Sequence, residues 1–402
     1  MTTGVRGSAG EVFAAFLKLG LSSFGGPIAH LGYFQRELIE RRRWLDASRY
    51  AQLVALAQLL PGPASSQVGF ALGLIRAGWS GALAAFVGFT LPSAFLLYVL
   101  AMFVPGLGQP LGHAALHGLK LVAIAVVAQG VVRMARRLTP DAPRALLAAA
   151  TTALVLVVGS STSQLVAIAL GALLGACFLR SSAPVLAEPF ELPYRGRTGV
   201  FLLVLVVVLL TIAVLMPASS SPLAATAGAF YRSGALVFGG GHVVLPLLQE
   251  AVVAPGLVTT DDFLAGYGGA QAMPGPLFSV AAFMGARLEH GHGGISGALV
   301  ALLAIFLPGL LLMAGALPLW RKLARHPSAV GAISGINAAV VGLLAAALYV
   351  PLWTSAVAVP SDVAIAGAAF LLLLTTRLPV LLVVAGCVGL AMARSALPGQ
   401  LP

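Results

Sequence analysis

Two helix-breaking motifs each occur twice in this chain, in matching surroundings. Phe24-Gly25-Gly26-Pro27 follows a short apolar segment, and Phe238-Gly239-Gly240-Gly241 follows another one 214 residues later (238 − 24 = 214). Pro61-Gly62-Pro63 recurs at nearly the same offset as Pro274-Gly275-Pro276. Flanking residues repeat with them, which a chance recurrence of one motif would not produce. The chain is therefore two fused copies of one unit, and residues related by this offset are called matched residues.

The composition excludes a soluble domain. Hydrophobic residues make up 59% of the chain and charged residues 9%, and the mean hydropathy is +1.00. So many long apolar segments cannot be buried in one water-soluble core. We predict an all-α polytopic integral membrane protein with two homologous halves arranged as an inverted repeat of broken or re-entrant helices.

The apolar runs define the expected domains. Uninterrupted runs long enough, or nearly long enough, to span a bilayer lie at 79–104, 113–135, 143–159, 163–179, 199–216, 294–317, 329–353, 359–375 and 378–394. The run at 199–216 has no matched partner, and a single extra crossing between the copies inverts the second one. We expect a first repeat at 1–180, a linker plus an extra transmembrane helix at 181–221, and a second repeat at 222–402.

Positive charge favours one threading of the chain. The repeated glycine and proline motifs each interrupt an apolar segment. If these interrupted segments turn back as re-entrant hairpins, the basic stretches at 36–49, 133–144, 180–197 and 321–325 all lie on the cytoplasmic side. The acidic arm near Asp261 then lies outside. The alternative, in which each interrupted segment spans, also inverts the copies but leaves Arg41-Arg42-Arg43 outside.

Neither the net charge nor the potential ligand residues indicate another class of protein. The net charge is +11, but basic residues fall in short runs between apolar segments, so nucleic acid is not an expected partner. Cys177 and Cys387 have no paired neighbour, and the loop-bordering histidines lack carboxylate or thiol neighbours at ligand spacing. We therefore predict no metal and no cofactor. The start of the chain does not resemble a removable signal peptide. The histidines concerned are His113, His117, His290 and His292.

The breaks predict an anion site. Unwound backbone is tolerated in a membrane only where protein or water surrounds it, and inverted repeats with broken helices build the central sites of many transporters. A helix that restarts after glycine presents free amides and a positive dipole end. The alternative is that these residues serve only close packing or kinks. The expected substrate-binding residues at the breaks are Gly25, Gly26, Pro27, His30, Pro61, Gly62, Pro63, Ser66, Gly239, Gly240, Gly241, His242, Pro274, Gly275, Pro276 and Ser279.

Histidine and serine side chains could add donors at the breaks. His30 and His242 each lie in the first turn after a break, where an imidazole can donate to an oxyanion or bond to nearby backbone instead. Ser66 and Ser279 follow the Pro-Gly-Pro turns, and their hydroxyls can contact the ligand or cap their own half-helices.

Lys120 is the deepest basic residue in an uninterrupted apolar run. Its matched residue is Asn337, so a polar residue occurs twice at the same helix position. A mid-membrane ammonium costs about 2.5–3.5 kcal/mol, and all twelve acidic residues fall in loops, arms or segment ends. We predict that Lys120 pairs with the bound anion and that Asn337 lines the opposite wall. The alternative is that Lys120 reaches the nearer membrane surface along its flexible stem.

Taken together, the motifs resemble the chromate ion transporter family in its long two-domain form. Phe24-Gly25-Gly26-Pro27-x-x-His30 and Leu60-Pro61-Gly62-Pro63 are similar to the N-terminal half of that family, and Val237-Phe238-Gly239-Gly240-Gly241-His242 to its C-terminal half. The resemblance implies a multi-pass protein of the bacterial inner membrane that exports chromate from the cytoplasm and confers chromate resistance.

Several alternatives remain beside chromate export. Sulfate is a tetrahedral look-alike of chromate, so a transporter of sulfate or another inorganic anion is the second hypothesis. An anion channel and an intramembrane enzyme are further alternatives, although no catalytic pair lies in the spans, so we predict that the protein is not an enzyme. The lipid bilayer is an expected partner, and a homodimer is left open.

Overall fold

The computed structural model describes residues 7–24, 26–103, 110–158, 161–179, 190, 192–216, 221–237, 244–289, 293–320, 326–376, 378 and 380–395. Every regular element in these ranges is helical, which confirms the predicted all-α fold. Gly25 and the stretch 238–243, which holds the predicted site residues Gly239, Gly240, Gly241 and His242, lie outside the described residues.

The described part of the first copy, together with the connecting helix, contains eight α-helices. They are α1 (Ala9–Ser22), α2 (Gly26–Phe34), α3 (Ala47–Leu59), α4 (Ala64–Phe103), α5 (Pro110–Leu138), α6 (Ala142–Val158), α7 (Ser161–Phe178) and α8 (Gly196–Leu215). A π-helical turn, Gln35–Arg41, extends α2. Non-helical backbone at Ala77 and Gly78 divides α4 into a half-helix, 64–76, and a long crossing helix, 79–103.

The second copy repeats this order. It contains α9 (Pro222–Leu236), α10 (Val244–Val252), α11 (Thr260–Ala272), α12 (Val280–Ala286), α13 (Gly294–Ala316), α14 (Pro327–Ala347), α15 (Pro360–Thr375) and α16 (Val380–Ser395). A 3₁₀ turn, Leu277–Ser279, leads into α12. The matched pairs are α1 with α9, α2 with α10, α3 with α11, the crossing part of α4 with α13, α5 with α14, α6 with α15 and α7 with α16.

Among the described residues, five helices are long and apolar enough to cross a bilayer by themselves: Ala64–Phe103, His117–Leu138, Gly196–Leu215, Gly294–Leu319 and Val330–Val350. The helices α6, α15 and α16 and most of α7 are apolar but shorter. The chain is thus a polytopic membrane protein, as the composition predicts.

The interrupted segments of the first copy are re-entrant hairpins. At their outer ends, Glu11 at the start of α1 accepts bonds from Arg76 at the end of the half-helix (3.2 Å) and from the Trp44 indole (3.0 Å). At their inner ends, His30 and Ser65 lie in the first turns of α2 and α4 and are 3.3 Å apart. Both outer ends therefore share one membrane face, called the basic face. The alternative threading, with each interrupted segment spanning, is not found.

The second copy has the opposite orientation. The ring of Trp79, at the start of the crossing part of α4, stacks on Tyr194 at 5.2 Å, and the Tyr194 hydroxyl donates to the Ala314 carbonyl at 2.6 Å. Ala314 lies near the end of α13, the matched helix. One residue thus contacts the start of one helix and the end of its counterpart, which shows that the two helices are antiparallel.

The hairpins of the second copy reach the face opposite the basic face. The crossing part of α4 leads away from the basic face, so α5 begins on the opposite side. There Asp261, at the start of α11, contacts Lys120 of α5. Asp262 pairs with Arg287 just after α12 at 2.9 Å, which joins the outer ends of the second hairpin.

Each copy packs one of its helices against helices of the other copy, an arrangement called the helix exchange, and small residues line these contacts. Helix α14 packs between α6 and α7 of the first copy, while α5 packs against α15 and α16 of the second. Gly335 of α14 abuts Gly171 of α7, and its matched residue Gly118 of α5 abuts Val388 of α16. Gly171 and Val388 are themselves matched, so one contact recurs across the pseudo-twofold axis. Small residues allow this approach of the two backbones.

Helices α2 and α3 of the first copy and α10 and α11 of the second, called the arms, do not share this symmetry. In the second copy, α10 packs against α14 and α11 packs against α5. In the first copy, α2 and α3 pack against α4 and the π-helical turn, and among the described residues neither has comparable packing on α5 or α14. The two copies therefore have equivalent scaffolds but different arm positions.

Replacing Gly335 with alanine should destabilise the fold. The added Cβ would lie 2.8 Å from the Gly175 Cα and closer still to the Gly171 carbonyl, both of which are backbone atoms that cannot turn aside. We expect a loss of about 1–3 kcal/mol in the free energy of unfolding, as for overpacked cores. Thermal unfolding in detergent measures it.

The control is Gly386→Ala in α16, where a Cβ meets no atom within 4 Å. This change should be neutral or stabilising by up to about 1 kcal/mol, since alanine favours helix over glycine. Equal effects of the two substitutions would contradict the helix exchange described above.

Candidate functional site

The four breaks meet through two matched backbone hydrogen bonds. The Gly62 amide, in the second break of the first copy, donates to the Val237 carbonyl that precedes the first break of the second copy (2.6 Å). The Gly275 amide donates in the same way to the Ser23 carbonyl (2.9 Å). Ser23 matches Val237 and Gly62 matches Gly275, so the pseudo-twofold axis passes between these bonds. The predicted breaks therefore form one centre.

Only glycine fits at these two donors. Gly62 has φ +122° and Gly275 has φ +98°, in the left-handed region that L side chains disfavour. A Cβ at Gly62 would lie 2.8 Å from the Gly309 Cα, and one at Gly275 would lie 2.8 Å from the Ser93 hydroxyl. Close approach of two chains and backbone conformation both require glycine here.

The two halves of the centre carry different side chains. In one half, the Gln67 amide nitrogen donates to the carbonyls of Pro61 (2.8 Å) and Gly309 (3.0 Å). In the other half, Ser93 matches Gly309, and its hydroxyl lies 2.7 Å from that of Ser279. The centre is therefore symmetric in backbone but asymmetric in chemistry.

Several buried polar atoms at the centre have no hydrogen-bond partner among the described residues. The residues that carry these atoms are at most 3% exposed. An unsatisfied buried group costs about 1–3 kcal/mol, so native proteins keep few without a functional reason. A bound anion would accept from the hydroxyls and from an imidazole N–H, whereas the Gln67 carbonyl oxygen needs a donor instead. The atoms are the hydroxyls of Ser23, Ser66 and Thr90, Nε2 of His30 and Oε1 of Gln67.

The His30 ring is fixed from two sides. Its Nδ1 lies 3.3 Å from the Ser65 hydroxyl, and its face meets the Phe89 ring edge-on at 5.3 Å between centroids. Phe16 and Phe34 pack against Phe89 in turn, at 6.4 and 5.1 Å. The imidazole is thus held in place, and Nε2 remains available to a ligand.

Helix N-termini add positive potential at the centre. Helix α2 begins at Gly26 and α4 at Ala64, directly after the first and second breaks, and the turn at Leu277–Ser279 leads into α12 after the fourth. The first amides of a helix lack partners within it, and its dipole favours negative charge there. Neutral donors aligned in this way suit an anion better than a cation.

The sequence predicted part of this centre. Gly62, Gly275 and Ser279 make contacts between the copies, while His30 contacts Ser65 and Phe89 of its own copy. The Ser66 hydroxyl caps no described backbone group, unlike the capping alternative. Binding of substrate by these residues stays a prediction. Ser23, Gln67, Thr90 and Ser93 were not predicted. The signal for Ser93 was present, because Leu91-Pro92 recurs as Leu307-Pro308 and places Ser93 opposite Gly309.

Lys120 has a partner that the sequence analysis did not foresee. Its ammonium lies 2.5 Å from the Asp261 carboxylate, and the side chains are 13% and 76% exposed. The expectation that no carboxylate reaches Lys120 is therefore wrong. The lysine stem extends toward the surface end of α11, in line with the alternative that Lys120 reaches the nearer membrane surface. Asn337 is buried and its Oδ1 is unpartnered among the described residues. Binding of substrate by Lys120 or Asn337 stays a prediction.

A second charged cluster joins the copies on the same side of the membrane. His117 Nε2 lies 2.9 Å from the buried Asp362 carboxylate, which also accepts a 2.6 Å bond from Arg394. His117 does therefore have a carboxylate neighbour, from 245 residues along the chain. Within the described ranges, no group of three or more potential metal ligands occurs.

Comparisons with known proteins give a consistent family. The sequence profile of the family described as Chromate transporter matches residues 10–176 and 224–392. The chain is 31% identical to a "Probable chromate transport protein" of Synechococcus elongatus, over 83% of this chain and 82% of that protein. It is 28% identical to each "Chromate transport protein" of Pseudomonas aeruginosa (93% and 89%) and Cupriavidus metallidurans (92% and 89%). No solved structure matches the chain significantly.

Removing the unpartnered hydroxyls tests whether they bind a ligand. Ser66→Ala and Thr90→Val should leave the thermal stability unchanged or raised, because each deletes a buried group that lacks a partner. Each should weaken oxyanion binding about 10- to 100-fold, since a hydrogen bond to a charged group contributes roughly 1.5–3 kcal/mol. Thermal unfolding and sulfate binding to purified protein measure the two effects.

Thr226→Val is the matched control. The Thr226 hydroxyl is buried but donates to the Pro222 carbonyl at 2.8 Å, far from the breaks along α9. We expect it to leave sulfate binding unchanged. Wild-type binding in both Ser66→Ala and Thr90→Val would remove these hydroxyls from the site.

Proposed function

We propose that this chain, which belongs to the chromate transporter family, exports chromate from the cytoplasm across the inner membrane and thereby confers chromate resistance. The observation that carries the proposal is the crossed pair of hydrogen bonds, Gly62 to Val237 and Gly275 to Ser23, around unpartnered buried donors. Such a centre, midway along antiparallel hairpins, is where an inverted-repeat transporter binds its substrate.

The donors favour a tetrahedral oxyanion. The hydroxyls of Ser66 and Thr90, the imidazole of His30 and the first amides of α2 and α4 can each donate to one oxygen. Chromate and sulfate share their shape and charge, so sulfate is the second candidate substrate. The lines of support for chromate in particular are the family and its named relatives.

The arm asymmetry supports alternating access. We propose that the centre opens toward the basic face, where α3 is bonded to α5 through Arg137 and Gln58 (2.6 Å) but α2 and α3 pack less on α5 and α14 than their counterparts do, and that α10 and α11 close it on the other side. Exchange of the two arm positions would then open the opposite face. Because Asp261 pairs with Lys120, the lysine does not need a bound anion to balance its charge. We therefore propose that this ion pair is part of an outer gate, the contact that closes the centre at the face opposite the basic face.

Membrane potential can drive this export. Moving a dianion out of a negative-inside cell gains roughly 2.3 kcal/mol per charge per 100 mV, about 4.6 kcal/mol in all. None of the twelve acidic residues lies in the middle of an uninterrupted apolar run, so the sequence offers no carboxylate relay for protons. The proposal is therefore potential-driven uniport.

Chromate flux in proteoliposomes tests the proposal. We expect the flux to follow an imposed membrane potential and to persist when the pH gradient is collapsed by an ionophore. Empty liposomes and the Thr90→Val variant serve as controls. Flux that requires the pH gradient at fixed potential would refute uniport, and an absence of chromate flux would refute the proposed substrate.

Breaking the outer gate should expose the centre to the opposite face. In Lys120→Met or Asp261→Asn, a cysteine at Ser279 should react several-fold faster with an impermeant maleimide added from that face. The effect is small because an exposed ion pair contributes only about 0.2–1 kcal/mol. Sulfate affinity should stay unchanged, whereas a ligand role for Lys120 requires it to fall.

The charge-exchanged double variant, Lys120→Asp with Asp261→Lys, should restore slow labelling. Lys18→Met is the matched control, because Lys18 pairs with Glu37 at 3.4 Å on the basic face. Identical labelling in the wild type and both single gate variants would remove the ion pair from the gate.

A further inference from the structure

A large cleft opens at the basic face, apart from the central site. Its volume is about 880 Å³, and it lies between the end of the π-helical turn, the start of α3, the kink in α4 and the segment before α8. Along α4, the ten residues from Ser66 to Arg76 place it roughly 15 Å from the break. Its lining combines three arginines, two carboxylates and several apolar residues, among them Arg43, Arg49, Arg76, Glu40, Asp46, Trp44, Phe190 and Leu192.

Arg43 has an unusual backbone for its residue type. Its φ is +52°, and it is the one non-glycine residue with a positive φ in the described part of the chain. It follows the π-helical turn at the position where glycine or asparagine normally ends a helix, and the next amide, Trp44, returns to the Leu38 carbonyl at 2.9 Å. The left-handed backbone disfavours arginine, so backbone conformation does not explain why this residue is an arginine. Its guanidinium group is the feature left to account for it.

The neighbouring arginines are already paired. Arg41 and Arg42 bond to the Glu37 carboxylate at 3.1 and 3.0 Å. Burial alone raises the pKa of Glu37, but the bonds from Arg42 and Arg41 lower it below its ordinary value, so the carboxylate stays ionised. Arg43, in contrast, makes no hydrogen bond or ion pair with any described residue, and its side chain is exposed.

The other two arginines of the cleft are held by carboxylates. Arg49 lies 3.5 Å from Asp46, and Arg76 lies 3.2 Å from Glu11. Arg76 also lies over the Trp44 ring at 5.6 Å. These contacts hold the arginines in place in the cleft walls, where Asp46 offsets the charge of Arg49 and Glu11 offsets that of Arg76. The unpaired guanidinium of Arg43 is then the group in the lining best able to receive an anion.

We propose that Arg43 and this cleft form a capture site for oxyanions, occupied before the anion reaches the central breaks. A guanidinium offers two parallel donors to neighbouring oxygens of a chromate, sulfate or phosphate group. An unpaired cation at the mouth of a cleft also raises the local anion concentration and the association rate. The inference rests on the proposed function, in which the basic face supplies the substrate.

Two substitutions at this position separate the effect of charge from that of backbone shape. Arg43→Asn removes the charge but tolerates the left-handed backbone, while Arg43→Lys keeps the charge without relieving the strain. We expect Arg43→Asn to raise the KM for chromate about tenfold at low ionic strength, with kcat and thermal stability unchanged. Arg43→Lys should stay within about twofold of wild type. Arg36→Asn, on the same arm, is the control and should have no effect.

Salt and lipid composition identify the source of the anion. The KM effect of Arg43→Asn should shrink at physiological ionic strength, where exposed charges are screened beyond about 8 Å. It should be the same in vesicles of neutral lipid and of mixed anionic lipid. An effect confined to anionic vesicles would mean that a lipid phosphate occupies the cleft and would overturn substrate capture.

Two other outcomes would also overturn the proposal. One is a wild-type KM in Arg43→Asn. The other is an equal loss in Arg43→Lys with lower thermal stability, which would assign Arg43 a structural role. Failure of the proposed function is distinguishable, because the wild-type protein itself would then move no chromate.

Discussion

Backbone that leaves a helix inside a membrane must find hydrogen-bond partners within the protein, and here each copy supplies them to the other. The amides of Gly62 and Gly275 satisfy carbonyls that precede the opposite copy's breaks. Neither copy can form its half of the centre alone. Backbone groups meet this need here, and the side-chain hydroxyls of Ser66 and Thr90 have no partner among the described residues.

The tightly packed scaffold differs from the arms in its contacts, and the proposed alternating access assigns the movement to the arms. Glycine contacts such as Gly335 with Gly171 lock the exchanged helices together, backbone against backbone. The arms are tied by weaker, exposed contacts, of which Lys120 with Asp261 is one. A transporter needs this division, since the site must stay assembled while access to it changes sides.

Much of the architecture was predictable from sequence, because it depends on local signals. Repeated glycine and proline breaks, a single unmatched crossing and the basic stretches together gave the inverted repeat. Side-chain partners across the copies were not predictable. Lys120 and Asp261 are 141 residues apart, and His117 meets Asp362 only because α5 leaves its own copy. Thr90 lies in a regular helix with no local signal, so only packing reveals its unpartnered hydroxyl.

The central claim is that four breaks from two inverted copies form one oxyanion site. The most direct test is a structure of the protein with chromate, in which anomalous scattering from chromium locates the anion. The account predicts one strong peak between the breaks of Gly62 and Gly275, within hydrogen-bonding reach of His30 and Thr90. A strong peak elsewhere, or a separate peak within each copy, would contradict it.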